Sequence, residues 1–127
     1  MYLISFYVPE THVQEVKNAL YDKGAGKFNN YDSCSWQTMG TGEFRPLKGS
    51  APFIGETGKI SRVNEYKVEM VCKKSILIDV LKTLVKVHPY EEPAYHAIEI
   101  ITLDNSHEAV GESPVPPHGG YKGTYKK

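Results

Sequence analysis

Two prolines separated by three residues constrain the chain most strongly. They lie in the stretch His88-Pro89-Tyr90-Glu91-Glu92-Pro93-Ala94-Tyr95, which follows an apolar pattern of helical spacing and precedes a short apolar run. A proline lacks a backbone donor and disfavours a helical conformation in the residue before it. His88 is therefore predicted to end a helix, and Glu92 to be extended. The stretch 88–95 is predicted to be a stiff connector that presents a histidine, a tyrosine and two carboxylates.

The composition narrows the class of protein. With 127 residues the chain has the length of one domain, and its 15 basic and 15 acidic residues cancel. A neutral chain creates no global field that favours a nucleic acid or an anionic membrane, so neither partner is expected. No apolar run approaches the roughly 20 residues that span a bilayer, and the N-terminus is not typical of a signal peptide. Since Cys34 and Cys72 form neither a disulfide framework nor a zinc pattern, we expect a cytoplasmic protein.

The N-terminal region predicts a strand followed by a helix. Residues 2–8 have the alternation of a strand, and large apolar groups occur on both of its faces, which is typical of a central strand. Thr11 and Gln14 fit a capping box at the start of a helix over 11–23. Gly24 is then expected to end that helix in a left-handed conformation.

The region after the first helix is rich in glycine and predicts a hairpin and a loop. Residues 33–38 alternate as a strand does, 40–42 carry two glycines that favour a turn, and 43–45 are expected to pair back. An ordered loop over 46–60 follows. It carries the adjacent apolar pair Phe53-Ile54, which we expect to pack against another part of the protein, because such pairs seldom lie freely exposed.

Regular patterns return in the second half of the chain. Residues 65–73 alternate as a strand with one buried face, and Ser75 is predicted to cap a helix over 75–87. A last strand is predicted over 95–103. From residue 104 the chain turns polar and rich in proline and glycine, so a domain over 1–104 and a disordered tail over 105–127 are expected.

This order of elements predicts the fold class. Strand, helix, two strands, helix and strand make a βαββαβ unit, the α+β ferredoxin-like sandwich, with two helices on one face of an antiparallel sheet. The opposite sheet face would carry apolar groups. A monomer would then expose a larger apolar patch than soluble monomers tolerate, so we expect a homo-oligomer.

Five separated motifs carry a resemblance to a known family. They resemble the YqfO-type domain that is inserted in proteins related to the yeast NGG-interacting factor, and the match runs from about residue 2 to about residue 103. The motifs are Gly24-Ala25-Gly26, Asn30-Tyr31-Asp32-Ser33-Cys34-Ser35-Trp36, Gly40-Thr41-Gly42-Glu43-Phe44-Arg45-Pro46-Leu47, Pro52-Phe53-Ile54-Gly55 and His88-Pro89-Tyr90-Glu91-Glu92-Pro93-Ala94-Tyr95.

The resemblance implies a fold and a kind of function. It implies a CutA-like or PII-like ferredoxin fold, and because CutA is trimeric it favours a trimer over a dimer. The implied function is a non-enzymatic module that is structural, regulatory or ligand-sensing. Full-length family members hold a two-metal site in the parts that flank the insert. No such part is seen here, so their suspected hydrolase activity is not carried over. His96 also departs from the family, in which an acidic residue more often follows Pro-Ala-Tyr.

An alternative function rests on His88, Glu91 and Glu92. Imidazole and carboxylate groups together can bind a divalent metal ion, which would make the chain a metal-binding protein or a metal-assisted hydrolase. The simpler interpretation is that a cationic His88 caps the helix C-terminus, while the glutamates form ion pairs or hydrogen bonds across a subunit boundary. We expect at most weak binding of a metal by these residues.

The remaining candidates are ligand-binding or interface residues, and no catalytic residue can be assigned from the sequence. Arg45 is suited to bidentate contact with a carboxylate, so it is predicted to pair with Glu91 or Glu92, within one subunit or across an interface. Otherwise it is free to bind an anionic ligand. Aromatic side chains are candidates for a stacking site for a small molecule, or for interface packing. They are Tyr31, Trp36, Tyr90 and Tyr95.

Overall fold

A four-stranded antiparallel sheet with two helices on one face forms the part of the chain that the structure, a computed structural model, describes, residues 1–103. This confirms the predicted α+β, ferredoxin-like fold. Short 3-10 turns at Glu10–His12 and Lys74–Ile76 precede the helices. In chain order the elements are β1 (Tyr2–Pro9), α1 (Val13–Asp22), β2 (Trp36–Phe44), β3 (Ser61–Cys72), α2 (Leu77–Val87) and β4 (Tyr95–Glu99).

The sheet has the strand order β2-β3-β1-β4, with each neighbouring pair antiparallel. As predicted, β1 is central: Ile4 lies opposite Met70 of β3 on one side and opposite Ala97 of β4 on the other. Next to the Tyr2–Glu99 pair at the end of the β1–β4 ladder, the carbonyl of Met1 accepts a hydrogen bond from the amide of Ile100 at 3.0 Å. The start of β1 and the end of β4 are therefore neighbours in space.

The hydrophobic core lies between the sheet and the helices. Because side chains alternate along a strand, one face of β1 and β3 supplies the sheet side of the core. The helices supply the other side with side chains at helical spacing. The fully buried core residues include Ile4, Phe6, Val8, Val16, Leu20, Val68, Val80 and Leu84.

The opposite face of the sheet, which we call the open face, is not covered by the helices. Leu3 lies between Val71 of β3 and Ile98 of β4 in the strand register, so the three side chains form an apolar row across the open face. Ile98 is 51% exposed and Trp36 of β2 is 69% exposed. The expected apolar character of this face is therefore present.

The helix ends differ in part from the sequence predictions. Gly24 does end α1 with a left-handed φ of +102°, and the amides of Gly24 and Ala25 donate to the carbonyls of Tyr21 and Leu20. The capping box was wrong, because Thr11 contacts the His12 ring and Gln14 contacts Asn18.

At α2 the predicted cap is also displaced. Ser75 lies inside the 3-10 turn, and the helix itself begins two residues later at Leu77. In both helices the 3-10 turn occupies the positions where a side-chain cap was expected. At the other end, His88 has an extended backbone and ends α2, as the proline at 89 predicts.

The predicted hairpin turn over 40–42 was also wrong. Strand β2 runs straight through both glycines, and each of its nine residues lies opposite a residue of β3. The partner strand starts at Ser61, four residues before the predicted start, and this added length lets β2 stay extended. Strand β4 is shorter than predicted and ends at Glu99.

Two sequence predictions concern the polar tail and the membrane. The tail over 105–127, and with it the domain boundary at 104, lies outside the described residues. Within residues 1–103, none of the helices has the length and apolar character needed to cross a bilayer.

Gly24→Ala is expected to lower the free energy of unfolding by about 1–2 kcal/mol, because a left-handed backbone is strained for a residue with a Cβ. The added methyl group would also lie 3.0 Å from Cδ1 of Ile76. Urea denaturation measures the change. Lys23→Ala, one residue earlier and in ordinary helical conformation, should alter stability by less than about 0.5 kcal/mol. Equal effects of the two substitutions would contradict this account of the helix end.

Candidate functional site

A pocket of about 430 Å³ lies between the loop after β2 and the turn after α2. The turn is the proline-bracketed stretch that the sequence singles out, and the loop is the glycine-rich segment. Two strands of the open face form its floor. The residues that line the pocket are Glu43, Phe44, Arg45, Pro46, Leu47, Ser50, Pro52, Phe53, Ile54, Glu65, Tyr90, Glu91, Glu92 and Ala94.

The floor of the pocket contains a carboxylate that is held in place. Glu65 of β3 and Gly42 of β2 both point to the open face, and the Glu65 carboxylate lies over Gly42, where a Cβ would meet it directly. The phenol of Tyr90 donates a hydrogen bond to Oε2 of Glu65 at 3.1 Å. A glycine is therefore needed at 42 for close approach rather than for a turn.

His88 fixes the turn to the sheet. Its Nε2 lies 2.6 Å from the carbonyl oxygen of Tyr7, and its Nδ1 lies 3.0 Å from the amide nitrogen of Tyr90. Because an amide can only donate, Nδ1 accepts, and Nε2 must carry the hydrogen that it donates to the carbonyl. The ring is therefore a neutral bridge between β1 and the turn, and the predicted role as a cationic helix cap is not the one observed.

Burial supports this protonation state. The His88 side chain is buried, and this desolvation lowers the pKa of its imidazole despite the opposing effect of the hydrogen bond to Tyr7; the nearby His12 lowers it further. Burial also raises the pKa of the Tyr90 phenol, and the charge of Glu65 and the hydrogen bond to it act in the same direction. Tyr90 therefore stays a hydrogen-bond donor at physiological pH.

The glycine-rich loop and the turn meet, as their composition predicts. The amide of Ala51 donates to Oε1 of Glu91 at 2.9 Å. The ring of Tyr90 is near two others, with its centroid 6.4 Å from that of Phe44 and 6.2 Å from that of Phe53. Phe53 also packs edge-on against His12 at 5.4 Å, which confirms that the apolar pair in this loop contacts other parts of the protein.

Arg45 reaches the same pocket, but its predicted partner is not in place within the chain. It lines the pocket with both glutamates, yet across residues 1–103 no ion pair or hydrogen bond joins Arg45 to Glu91 or Glu92. The side chain is exposed. Its pairing across a subunit interface stays a prediction, and so does contact with an anionic ligand.

The metal-binding candidates are near one another in sequence but are not arranged as a ligand set. Both ring nitrogens of His88 are engaged in hydrogen bonds, so binding an ion would break one of them. Within the described part of the chain, no group of three or more His, Cys, Asp or Glu side chains is placed to hold a metal ion. The three residues His88, Glu91 and Glu92 are thus brought to the pocket region without forming a metal centre on their own.

The aromatic candidates separate into two groups. Tyr90 lines the pocket, whereas Trp36 lies on β2 with its indole nitrogen donating to Thr38, and Tyr95 begins β4 opposite Phe6. Tyr31 is in the loop before β2 and is exposed. Among residues 1–103, no ring contact joins these four side chains to one another.

Glu65, Phe44 and Phe53 are among the pocket residues that were not sequence candidates for ligand binding. Glu65 was assigned only to a strand, Phe44 to a hairpin, and Phe53 to a loop that packs somewhere. Their association depends on the strand register of β2 and β3 and on the course of the loop. Two features of the sequence could have pointed to them. Phe53 is a large apolar residue in a glycine-rich loop, and the alternation of β3 places Glu65 on the open face.

Comparisons with known proteins identify relatives of this stretch of chain. No family model matches the chain. Over 111 residues it is 39% identical to a Halalkalibacterium halodurans protein named GTP cyclohydrolase 1 type 2 homolog, and the match covers 87% of this chain. The chain spans only 29% of the length of that relative.

Solved structures agree with the sequence match. A Bacillus cereus protein related to NIF3 superposes with a TM-score of 0.69 and 37% identity, over 80% of this chain and 26% of that one. The PII-like protein CutA from Nostoc superposes with a TM-score of 0.60 at 13% identity, over 87% of this chain and 91% of that one, and so shows a shared fold. The resemblance to NIF3-related proteins and the CutA-like, PII-like fold are confirmed.

Gly42→Ala is expected to reduce the free energy of unfolding by about 1–2 kcal/mol, because the methyl group displaces Glu65 from its hydrogen bond with Tyr90. Gly40→Ala in the same strand meets open space and should carry no such penalty. In a Tyr90→Phe background, where the hydrogen bond is already absent, the cost of Gly42→Ala should shrink. An unchanged cost in that background, measured by urea denaturation, would count against this explanation.

Stability is expected to fall as the pH drops below about 6.5, the ordinary pKa of histidine, because the unfolded chain then binds a proton that folded His88 resists. Protonation would also place a hydrogen on Nδ1, against the Tyr90 amide. The His88→Gln variant should be less stable at pH 7.5 and show a shallower loss towards pH 5. The free energy of unfolding at both pH values tests this. An equal slope in parent and variant would show that His88 does not cause the acid sensitivity.

Proposed function

We propose that this chain, a counterpart of one stretch of NIF3-related proteins with the fold of CutA, is a non-enzymatic homo-oligomeric module that senses a small molecule. The observation that carries the proposal is the position of the pocket. Phe44 and Glu65 belong both to the pocket and to the open face, so a molecule bound there would adjoin the surface on which another subunit would pack.

The open face supports self-association. Its row of Ile98, Leu3 and Val71 is apolar, and Trp36 adds a large exposed ring on the same face. Tryptophan is enriched in the buried core of protein interfaces, and homodimer interfaces are more apolar than the rest of the protein surface. A trimer, as the resemblance to CutA implies, is our preferred assembly, and a dimer is the next.

The chemistry of the pocket supports binding rather than catalysis. Its hydroxyl groups are engaged: Ser50 donates to the Leu47 carbonyl at 2.7 Å, and Tyr90 donates to Glu65. The neutral His88 lies behind Tyr90 and holds the turn, which is a positioning role. The Tyr90 hydroxyl has the Glu65 carboxylate within reach, but burial and the charge of Glu65 raise the pKa of this phenol, so it is not activated as a nucleophile.

The proposed setting is the cytoplasm, without a nucleic-acid partner. Both cysteines are free thiols, with Cys72 buried and Cys34 half-buried, as is usual in a reducing compartment. The equal numbers of acidic and basic residues leave the chain without a net positive charge that would attract a phosphate backbone.

Ile98→Glu is expected to dissociate the oligomer, because it places a charge in the apolar row on the open face, at its end on β4. Light scattering at micromolar concentration measures the mass of the particle. Ile78→Glu is the matched control: Ile78 is a 62% exposed isoleucine on α2, on the helical side of the sheet. It should leave the mass unchanged.

Two results would contradict the proposed assembly. One is a monomer mass for the parent protein at micromolar concentration. The other is an oligomer that survives Ile98→Glu but dissociates with Ile78→Glu, which would move the interface to the helices.

A further inference from the structure

We propose that the small molecule bound in the pocket is an organic cation, with an ammonium or guanidinium group held between carboxylates and aromatic rings. This inference deepens the proposed sensing function and rests on it. It concerns the pocket between the loop after β2 and the turn after α2, which has room for a small molecule of several heavy atoms.

The aromatic walls are the first reason. Three rings line the pocket, and those of Phe44 and Phe53 are each tilted at 46° to the ring of Tyr90. The phenol hydrogen of Tyr90 is turned to Glu65, so its polar end is satisfied and its ring is available as a surface. The face of an aromatic ring attracts a cation that lies within about 6 Å of its centre.

The charge of the lining is the second reason. Four carboxylates line the pocket, and Arg45 is the single cation among the described lining residues. Glu43 is neutralised by Arg62 at 2.8 Å, which leaves Glu65, Glu91 and Glu92 against one guanidinium. A concave site lined by one sign of charge concentrates ions of the opposite sign.

The placement of these carboxylates favours an organic cation over a metal ion. Glu65 is on the floor and bonded to Tyr90, whereas Glu91 is on the turn and bonded to the Ala51 amide. In residues 1–103, no hydrogen bond or ion pair holds the side chain of Glu92. Carboxylates spread over an apolar space suit a cation with hydrocarbon parts, since metal sites need several ligands around one point.

Arg45 is expected to oppose the binding of a cation rather than to support it. Its side chain is exposed at the pocket and lacks an ion-pair partner within the described chain. A guanidinium there repels a ligand that carries only positive charge. Removing it should therefore strengthen the binding of such a ligand, the reverse of what a role in anion binding requires.

Agmatine, which carries a guanidinium and an ammonium group, is the probe for the test, and glutarate is its anionic counterpart. Both are titrated into the full-length protein at low salt while the aromatic side-chain signals are followed by NMR. We expect agmatine to shift the signals of Phe44, Phe53 and Tyr90 in a saturable way, and glutarate to leave them unchanged.

Variants test each part of the site. Glu92→Gln and Phe53→Leu should each weaken agmatine binding by about threefold, while Arg45→Gln should tighten it by about twofold. The matched control is Glu56→Gln. Glu56 lies in the same loop, outside the pocket lining, paired with Lys59 at 3.0 Å, so its substitution should leave the affinity unchanged.

The outcomes separate this inference from the proposed function. Absence of saturable agmatine binding up to 10 mM (about the weakest binding the titration resolves) overturns the inference, and so does binding of glutarate that is lost in Arg45→Gln. Either result leaves an oligomeric sensing module intact if the light-scattering mass is that of an oligomer. Agmatine binding that Glu56→Gln weakens as much as Glu92→Gln also overturns it, because the charge of the loop rather than the pocket would then be responsible.

Discussion

The side chain of His88 joins the central strand β1 to the turn after α2, beside the pocket. One ring nitrogen donates to the carbonyl of Tyr7 in the central strand, and the other accepts from the amide of Tyr90 in the turn. Because both bonds require the neutral ring, the position of the turn depends on the protonation of one buried side chain. Tyr90 in turn positions Glu65, and Glu65 occupies the space that Gly42 leaves open. The floor and one wall of the pocket thus depend on a single chain of contacts that begins in the sheet.

The fold could be predicted from the sequence because its signals are local. Alternation in β1 and β3, helical spacing in α1 and α2, and the prolines at 89 and 93 each specify an element within a few residues. Errors arose where a tertiary partner decides the outcome. Gly40 and Gly42 favour a turn locally, but the long partner strand β3 keeps them extended. The caps at Thr11 and Ser75 failed because 3-10 turns take up those positions.

The site could be predicted only in part. The meeting of the loop with the turn follows from stiff prolines and small glycines, and it placed Tyr90 and Glu91 correctly at one surface. The hydrogen-bond donor to each glutamate could not be predicted. A glutamate side chain is flexible, and the donors within its reach depend on how the backbone of other segments is placed. Glu91 contacts the amide of Ala51, and Glu65 contacts a phenol 25 residues away in sequence. Neither contact has a signal in residue type or spacing.

The hydrogen bond between Met1 and Ile100 has a consequence for how such a unit combines with other proteins. The backbone enters β1 and leaves β4 at adjacent points. If residues 1–100 were inserted into a surface loop of another protein, the two ends of the interrupted loop would therefore stay close together. The unit could then keep its own core. A domain whose two chain ends are adjacent fits the observation that the matching relatives are several times longer than the stretch they share with this chain.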